Sequence, residues 1–300
     1  MVGDSGGSLL NCLACGAAEV RKIETWGDYR VFQCARCRLE FSDPMRSMSA
    51  QEYEQSADYR RFRELSEADP AAVLWWGHRQ FLREVQVPAS RAPGPKLLDV
   101  GCGPGMFVRA ALAKRFDAYG ADFDRVSVEF ARKSPELRDR VRQTDLTEQI
   151  DQTDRHSYDF VTLFEVLEHV EDPAKLLLAV AGFLKPQGKV VILVPQADRH
   201  SLKHQAREPR DCPPHHLTRW TAAALKVLME RCGYRTVRQL ESPVSFGLLG
   251  RLRPAGQPGP QTSNRWRERA FRLKQTLAGP VLSACGFRGD RILLIAEPVA

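Results

Sequence analysis

Nowhere in these 300 residues do eighteen apolar residues run together, which excludes a membrane-spanning helix of ordinary length. The first residues, Met-Val-Gly-Asp-Ser-Gly-Gly-Ser, lack the basic-then-apolar pattern of a secretory leader, so a cytoplasmic location is expected. No internal repeat is visible, which argues against a solenoid or propeller. The formal charge of +7 and pI near 9.1 would suit an anionic substrate or nucleic acid, but the arginines are scattered among acids and no segregated basic block stands out. An apolar fraction of 43% needs no special stapling. The length points to one catalytic domain with an appendage.

A glycine-rich turn organises the middle of the chain. Leu97, Leu98 and Val100 read as a short buried strand, and the apolar run from Met106 to Leu112 has helical spacing, so Gly101, Gly103 and Gly105 fall on the turn between them. Glycine suits a turn where the backbone takes positive φ or a ligand comes close. The spacing Gly-x-Gly-x-Gly is one residue shorter than that of dinucleotide binders, and the Lys-Ser/Thr pair of a phosphate loop is missing. About twenty residues on, Ala118 to Asp122 is a second strand ending in a carboxylate, where doubly wound folds hold ribose hydroxyls. Val141 to Asp145 puts another acid after a third strand, and Tyr158 to Phe164 is a fourth that runs into Glu165-Val166-Leu167-Glu168-His169. A fifth strand follows Leu184, and Tyr234 to Leu240 and Arg291 to Ala296 bring the expected total to seven.

From about Leu97 to Val194 the chain resembles the class I S-adenosylmethionine-dependent methyltransferases, through Asp99-x-Gly101-x-Gly103-x-Gly105, Asp122, Asp145, Glu165 to His169 and Leu184 to Val190. The resemblance implies an α/β fold, a Rossmann-like seven-stranded sheet with helices on both faces, and S-adenosylmethionine as cofactor. It places the methionine moiety over Asp99, Gly101, Cys102, Gly103 and Gly105, the ribose on Asp122, and the adenine near Phe123, Asp145 and Leu146. Phe164 and Glu165 would line the methyl side. A Rossmann-like domain using another nucleotide is the competing reading.

Half of the eight cysteines sit as Cys12-x-x-Cys15 and Cys34-x-x-Cys37, eighteen residues apart, the spacing of a four-thiolate zinc ribbon. Gly16 supplies permissive backbone beside the first turn, and Arg38 takes the corresponding place beside the second. Ile23 to Phe32 reads as the ribbon's hairpin around Gly27-Asp28. With four sulfurs the ion has no open position, so a structural Zn²⁺ is expected. Cys102, Cys212, Cys232 and Cys285 read as small apolar fillers. Similar modules precede small-molecule methyltransferases, including sugar C-methyltransferases, and also ribosomal RNA methyltransferases.

Residues 1–46 are thus expected to form the ribbon, 47–95 a helical cap and linker, and 96–300 the catalytic domain, with a flexible insertion at about 252–264. In the cap, a helix starting at Pro70 would turn Val73, Trp76, Phe81 and Val85 inward. Tyr53, Tyr59 and Trp75 could line a substrate cleft or pack in the core.

Methyl transfer needs alignment of nucleophile, methyl carbon and sulfur, and a base where the nucleophile carries a proton. The candidates are His169 and, ahead of it, the pair His215 and His216, which lie just before a helix from Thr221 to Arg231 that Thr218 or Thr221 can cap. The pair resembles the base-bearing loop of sugar C-methyltransferases, whose large C-terminal domain this chain lacks. Histidines that merely bind loop carbonyls are the plainer reading. Arg199, Lys203, Arg207 and Arg210 recur at helical spacing before this loop, suiting an anionic acceptor or simply a solvated face. A later segment with Trp266, Ala270, Leu273 and Leu277 in a stripe suggests core packing or a homodimer contact.

The expected activity is methyl transfer to a small metabolite, an anionic one among the candidates. An RNA base methyltransferase is one rival, disfavoured because Phe164 to Leu167 lacks the Asn/Asp-Pro-Pro-aromatic motif. A non-catalytic scaffold that keeps the cofactor fold is the other.

Overall fold

The computed structural model describes residues 10–68, 74–145, 154–199, 209–243 and 288–299. They form two sheets. The first opens with β1 (Val20–Trp26), β2 (Tyr29–Cys34) and β3 (Glu40–Asp43). Three helices follow: α1 (Ala50–Gln55), α2 (Ala57–Ala68) and α3 (Trp76–Glu84). The second sheet then alternates β4 (Lys96–Val100), α4 (Met106–Ala113), β5 (Asp117–Asp122), α5 (Arg125–Ala131), β6 (Val141–Gln143), β7 (Tyr158–Phe164), α6 (Pro173–Ala181) and β8 (Leu184–Pro195). The two-residue β9 (Thr218–Arg219), α7 (Ala222–Arg231), β10 (Tyr234–Glu241) and β11 (Arg291–Pro298) complete the chain.

The large sheet has the expected seven strands, in the order β10-β11-β8-β7-β4-β5-β6. Strands β4 to β8 are mutually parallel, while β11 lies antiparallel between β8 and β10. The order reverses beside β4, so the carboxyl ends of β4 and β7 open a crevice where ligands bind in folds of this kind. Side chains alternate across the sheet as the period of two demands. Val190, Ile192 and Val194 join one core cluster, with Leu176, Leu225 and Trp220. Val191 and Leu193 join the other, with Phe81, Phe107 and Val128. The sheet is therefore buried on both faces, as parallel sheets require.

Sequence signals set the helix starts. Ser49 and Glu52 make a reciprocal capping box on α1. Asp124 caps α5 through both carboxylate oxygens, Asp172 caps α6 ahead of Pro173, and Thr221 caps α7. The helix expected from Pro70 begins instead at Trp76, because His78 Nδ1 accepts the Trp75 N–H and terminates the helix there. Phe81 is buried as expected, Trp76 only half-buried, and Val85 falls just past the helix end. Pro70, Val73, the insertion at 252–264, Cys285 and the stripe from Trp266 to Leu277 lie outside the described residues.

The ribbon hairpin forms as predicted, Trp26 opposite Tyr29. The finding that sequence did not suggest is that the ribbon sheet has a fourth strand from the segment just before α7. Its order is β1-β2-β3-β9, with Glu40 opposite Arg219 and Phe41 opposite Thr218. Leu39, Phe41 and the ribbon cysteines share one apolar cluster with Trp220 and Leu225. Among the described residues no helix is long and apolar enough to cross a membrane.

Candidate active site

The turn after β4 builds the floor of the site. Gly101, Gly103 and Gly105 all take positive φ, at 71, 51 and 79°. At Gly101 a Cβ would stand 2.5 Å from Val166 Cγ2, and at Gly105 2.5 Å from Leu137 Cδ1, so both turns are also close approaches. At Gly103 a Cβ would meet only Phe62, at 3.9 Å, so that glycine leaves open space above the turn. Asp122, at the end of β5, accepts the Gly103 N–H at 2.7 Å and the Asp124 N–H at 2.8 Å. It thereby ties the glycine turn to the start of α5. Burial pushes its carboxyl up to about 6. Asp99, one strand over, accepts from Thr162 Oγ1 at 2.6 Å, and burial pushes it up to about 7.

These groups open onto a cavity of about 940 Å³. Its wall gathers Asp99, Gly101, Cys102, Gly103, Asp122, Phe123, Asp145, Phe164 and Glu165 with all three singled-out histidines. Gly105 lies behind the turn, as the left-handed residue ahead of α4. Leu146 is outside the described residues. Cys102 packs its sulfur against Gly120, and burial raises its thiol far above the usual range, which makes it inert filling.

Helices α1 and α2 roof the cavity. Tyr53 sets its ring edge-on to Phe123 at 4.9 Å and touches Tyr59 at 4.5 Å, and Tyr59 in turn stacks on His215 at 5.5 Å. The aromatic chain thus runs from the β5 end to the histidine loop. The buried Arg63 of α2 pairs with Asp124 at 3.4 Å and pins the roof to the cap of α5. Trp75, also on the wall, stacks on His78.

The histidine loop is held from two sides. Leu217 and Thr218 donate to the Glu168 carbonyl at 2.8 and 3.2 Å, while Ser42 of the ribbon donates to the Leu217 carbonyl at 2.9 Å. His169 Nδ1 lies 2.6 Å from the His215 carbonyl oxygen. The carbonyl-binding role considered for these histidines is therefore real for His169. Burial, then the neighbouring His216 and His215, holds the His169 imidazole well below its ordinary pKa. Against the upward push of burial, His216 and Arg199 hold the Asp211 carboxyl well below the usual range. Of the four basic residues expected on one helix, Arg199 and Arg210 reach the cavity wall, and Lys203 and Arg207 lie outside the described residues.

Several site residues had no separate signal in the sequence. Arg291, at the start of β11, pairs with Glu165 at 2.9 Å and lies 5.2 Å over the Trp75 ring. Glu165 itself takes a positive φ of 56° at the turn after β7. His78, kept neutral by burial at a pKa of about 3, packs between Trp75, Phe107 and Phe164.

The four ribbon cysteines converge as predicted. Cys12 and Cys37 sulfurs are 3.5 Å apart, Cys15 and Cys34 sulfurs 3.6 Å, and all four lie within 4.8 Å of one another. A tetrahedral ion at about 2.3 Å from each sulfur needs sulfurs about 3.8 Å apart, so the cage fits zinc. Gly16 and Arg38 both take positive φ, 71 and 62°, beside their respective turns. The Cys37 N–H points at Cys34 Sγ at 3.5 Å. From α7, Arg231 donates to the Ala14 carbonyl at 2.6 Å and holds the first turn.

A family model described as a methyltransferase domain matches residues 59–239. A ubiquinone biosynthesis O-methyltransferase of Acinetobacter baylyi is 30% identical over 142 residues, covering 42% of this chain and 59% of that one. Its counterpart in Neisseria meningitidis serogroup C is 38% identical over 106 residues, covering 32% and 42%. The chain thus spans about half the length of the curated relatives it matches. Among solved structures, a SAM dependent methyltransferase from Archaeoglobus fulgidus superposes with a TM-score of 0.54 at 19% identity, over 80% of this chain and 99% of that one. The cyclase SpnF does so with 0.51 at 18%, over 85% and 99%. These two likenesses establish the fold alone, and one neighbour being called a cyclase shows that the reaction must be argued from the site.

Proposed function

This chain belongs to the methyltransferase domain family, and we propose that it transfers the methyl group of S-adenosylmethionine to an oxygen of a small hydroxylated acceptor. The observation that carries the reading is that the glycine turn, Asp122 and the histidine cluster line one cavity. The curated relatives' name, ubiquinone biosynthesis O-methyltransferase, supports oxygen as the atom methylated and a small molecule as acceptor.

The cofactor, when bound, supplies an electrophilic methyl group on a sulfonium whose leaving thioether is neutral. The chain's own residues bind and align. Gly103 lets the methionine end approach the backbone, and Asp122 offers its remaining lone pairs to ribose hydroxyls while keeping the turn in shape. Phe123, backed by Tyr53, gives the adenine an aromatic surface, with Asp145 beside it. Phe164 and Glu165 lie toward the methyl side, where Arg291 holds Glu165 in place. The acceptor occupies the end of the cavity near His215 and His216, roofed by Tyr59. There the cluster of His169, His215 and His216 manages the proton that an acceptor hydroxyl loses, with His216 the first choice. Lys175 and Arg210, also on the wall, would receive an anionic group on the acceptor. The ribbon carries a structural zinc ion on Cys12, Cys15, Cys34 and Cys37.

The test is calorimetric titration with S-adenosylmethionine and S-adenosylhomocysteine, with Asp122→Ala as control, followed by a screen of phenolic and other hydroxylated acceptors with methyl-labelled cofactor. Binding that the variant loses, together with label in an ether product, supports the reading. A folded protein that binds neither compound overturns it.

A further inference from the structure

Three histidines of the cavity wall, His169, His215 and His216, stand closer together than proton handling requires. One ring nitrogen from each lies within 4.8 Å of those of the other two, and the ring centroids are 4.7 to 5.1 Å apart. They come from separate parts of the chain: His169 follows β7, whereas His215 and His216 precede β9. Their meeting is a product of the fold.

A hydrogen bond fixes which nitrogen of His169 is free to act as a ligand. A carbonyl oxygen only accepts, so the 2.6 Å contact from His169 Nδ1 to the His215 carbonyl puts the proton on Nδ1 and leaves Nε2 with its lone pair. Asp211, steadied by Arg199, stands 3.5 Å from His216 Nδ1. A carbonyl behind one imidazole and a carboxylate behind another is the outer arrangement that orients metal-bound histidines.

A second, independent observation points to a cation. Glu168 has no solvent exposure, and neither carboxylate oxygen has a hydrogen-bond partner among the described residues. Its Oε1 lies 4.0 Å from His169 Nε2. A wholly buried carboxyl group without a donor is rare in proteins, and a positive ion held by the adjacent imidazoles would answer it.

We infer that His169, His215 and His216 form a second metal site, for a divalent ion of the zinc or cobalt class, with Glu168 as its charge-balancing carboxylate. Imidazole donors favour such ions over magnesium or calcium. Unlike the closed four-thiolate cage, three ligands leave a position open, and all three histidines line the cavity. The inference rests on the proposed reading of this cavity as the acceptor site. An acceptor hydroxyl bound at the open position is acidified by the ion and releases its proton to water, so the cluster manages that proton by coordination.

The experiment adds Co²⁺ to protein whose thiolate cage holds one zinc ion per chain, verified by elemental analysis. Expected is a weak visible ligand-field band that saturates at one equivalent without the intense near-ultraviolet absorption of a cobalt–thiolate bond. His216→Ala and His169→Ala should lose it while keeping their zinc and their affinity for S-adenosylhomocysteine, and Asp211→Asn should weaken cobalt binding about 10- to 100-fold. Asp122→Ala should keep the band and lose S-adenosylhomocysteine. The inference is overturned if the wild-type protein gives no visible band, or if the band survives both histidine substitutions or comes only with thiolate absorption. Failure to bind S-adenosylhomocysteine would strike the methyltransferase reading and leave the cobalt result standing by itself.

Discussion

Arg219 donates from Nε to Glu40 Oε2 at 2.6 Å, with 4% and 12% of the two side chains exposed. One residue belongs to the ribbon, and the other comes three residues after His216. The same guanidinium also donates to the Asp211 carbonyl at 2.8 Å, so the pair joins the ribbon to the loop that frames the histidines. Without Glu40, the buried Arg219 keeps only the Glu24 carboxylate, at 3.9 Å, and the Asp211 carbonyl. Glu40→Ala is expected to cost about 3 kcal/mol, read as a fall in Tm of roughly 6 to 12 °C. An unchanged Tm by calorimetry would show that this ion pair contributes nothing to holding the loop, leaving that work to the Ser42–Leu217 hydrogen bond.

The ribbon shares its apolar cluster with Trp220 and Leu225 of the main body, so zinc should stabilise more than the ribbon. Cys34→Ser is expected to abolish the one equivalent of zinc proposed for the thiolate cage, by elemental analysis, and to lower the Tm of the whole chain in one cooperative transition. A separate early transition, with the main melt in place, would contradict the shared core.

Cofactor affinity should depend on pH through Asp122. In the proposed cofactor site its ionised carboxylate would accept from ribose hydroxyls, and burial pushes its pKa up to about 6. Affinity is therefore expected in full above about pH 7 and to decline as pH falls through 6, with protons released on binding near pH 6. Stability of the cofactor-free fold takes the opposite sign. The folded Asp122 and Asp99 hold protons, at about 6 and 7, that the unfolded carboxyls release above their ordinary 3.8, so their contribution to stability grows as pH falls from 7 toward 4. Titrations in buffers of different ionisation enthalpy test the first effect, and pH-dependent melting without ligand tests the second.

His216→Ala is expected to lower turnover by roughly 10²- to 10⁴-fold with S-adenosylhomocysteine affinity unchanged, because His216 lines the part of the cavity proposed for the acceptor. Single-turnover kinetics alongside calorimetry would show this. Equal losses in both readouts would place His216 with the cofactor instead.

Much of the glycine-turn end of the cavity was legible in the chain because it is local. Strands β4, β5 and β7 announce themselves by apolar runs, and the glycine turn and Asp122 occupy fixed offsets from them. The thiolate cage was equally legible, since each Cys-x-x-Cys pair sits on one tight turn. The acceptor end was only partly so. Histidines 169, 215 and 216 could be named singly, but nothing in their spacing says that their rings meet. Nothing local marks His78 as the residue whose ring accepts the Trp75 N–H at the start of α3.

What the sequence determined by itself is whatever neighbouring residues settle among themselves: the period of two in the strands, the positive-φ turns at Gly101 and Gly16, and the caps at Ser49, Asp124 and Thr221. Only the tertiary structure decided the rest. Arg291 reaches Glu165 across 126 residues, Arg219 reaches Glu40 across 179, and His169 meets His215 across 46. Such pairs carry no local signature. Their energy comes from charges and donors brought together out of water, and that partnership exists only once the sheet order has placed the ends of distant strands side by side.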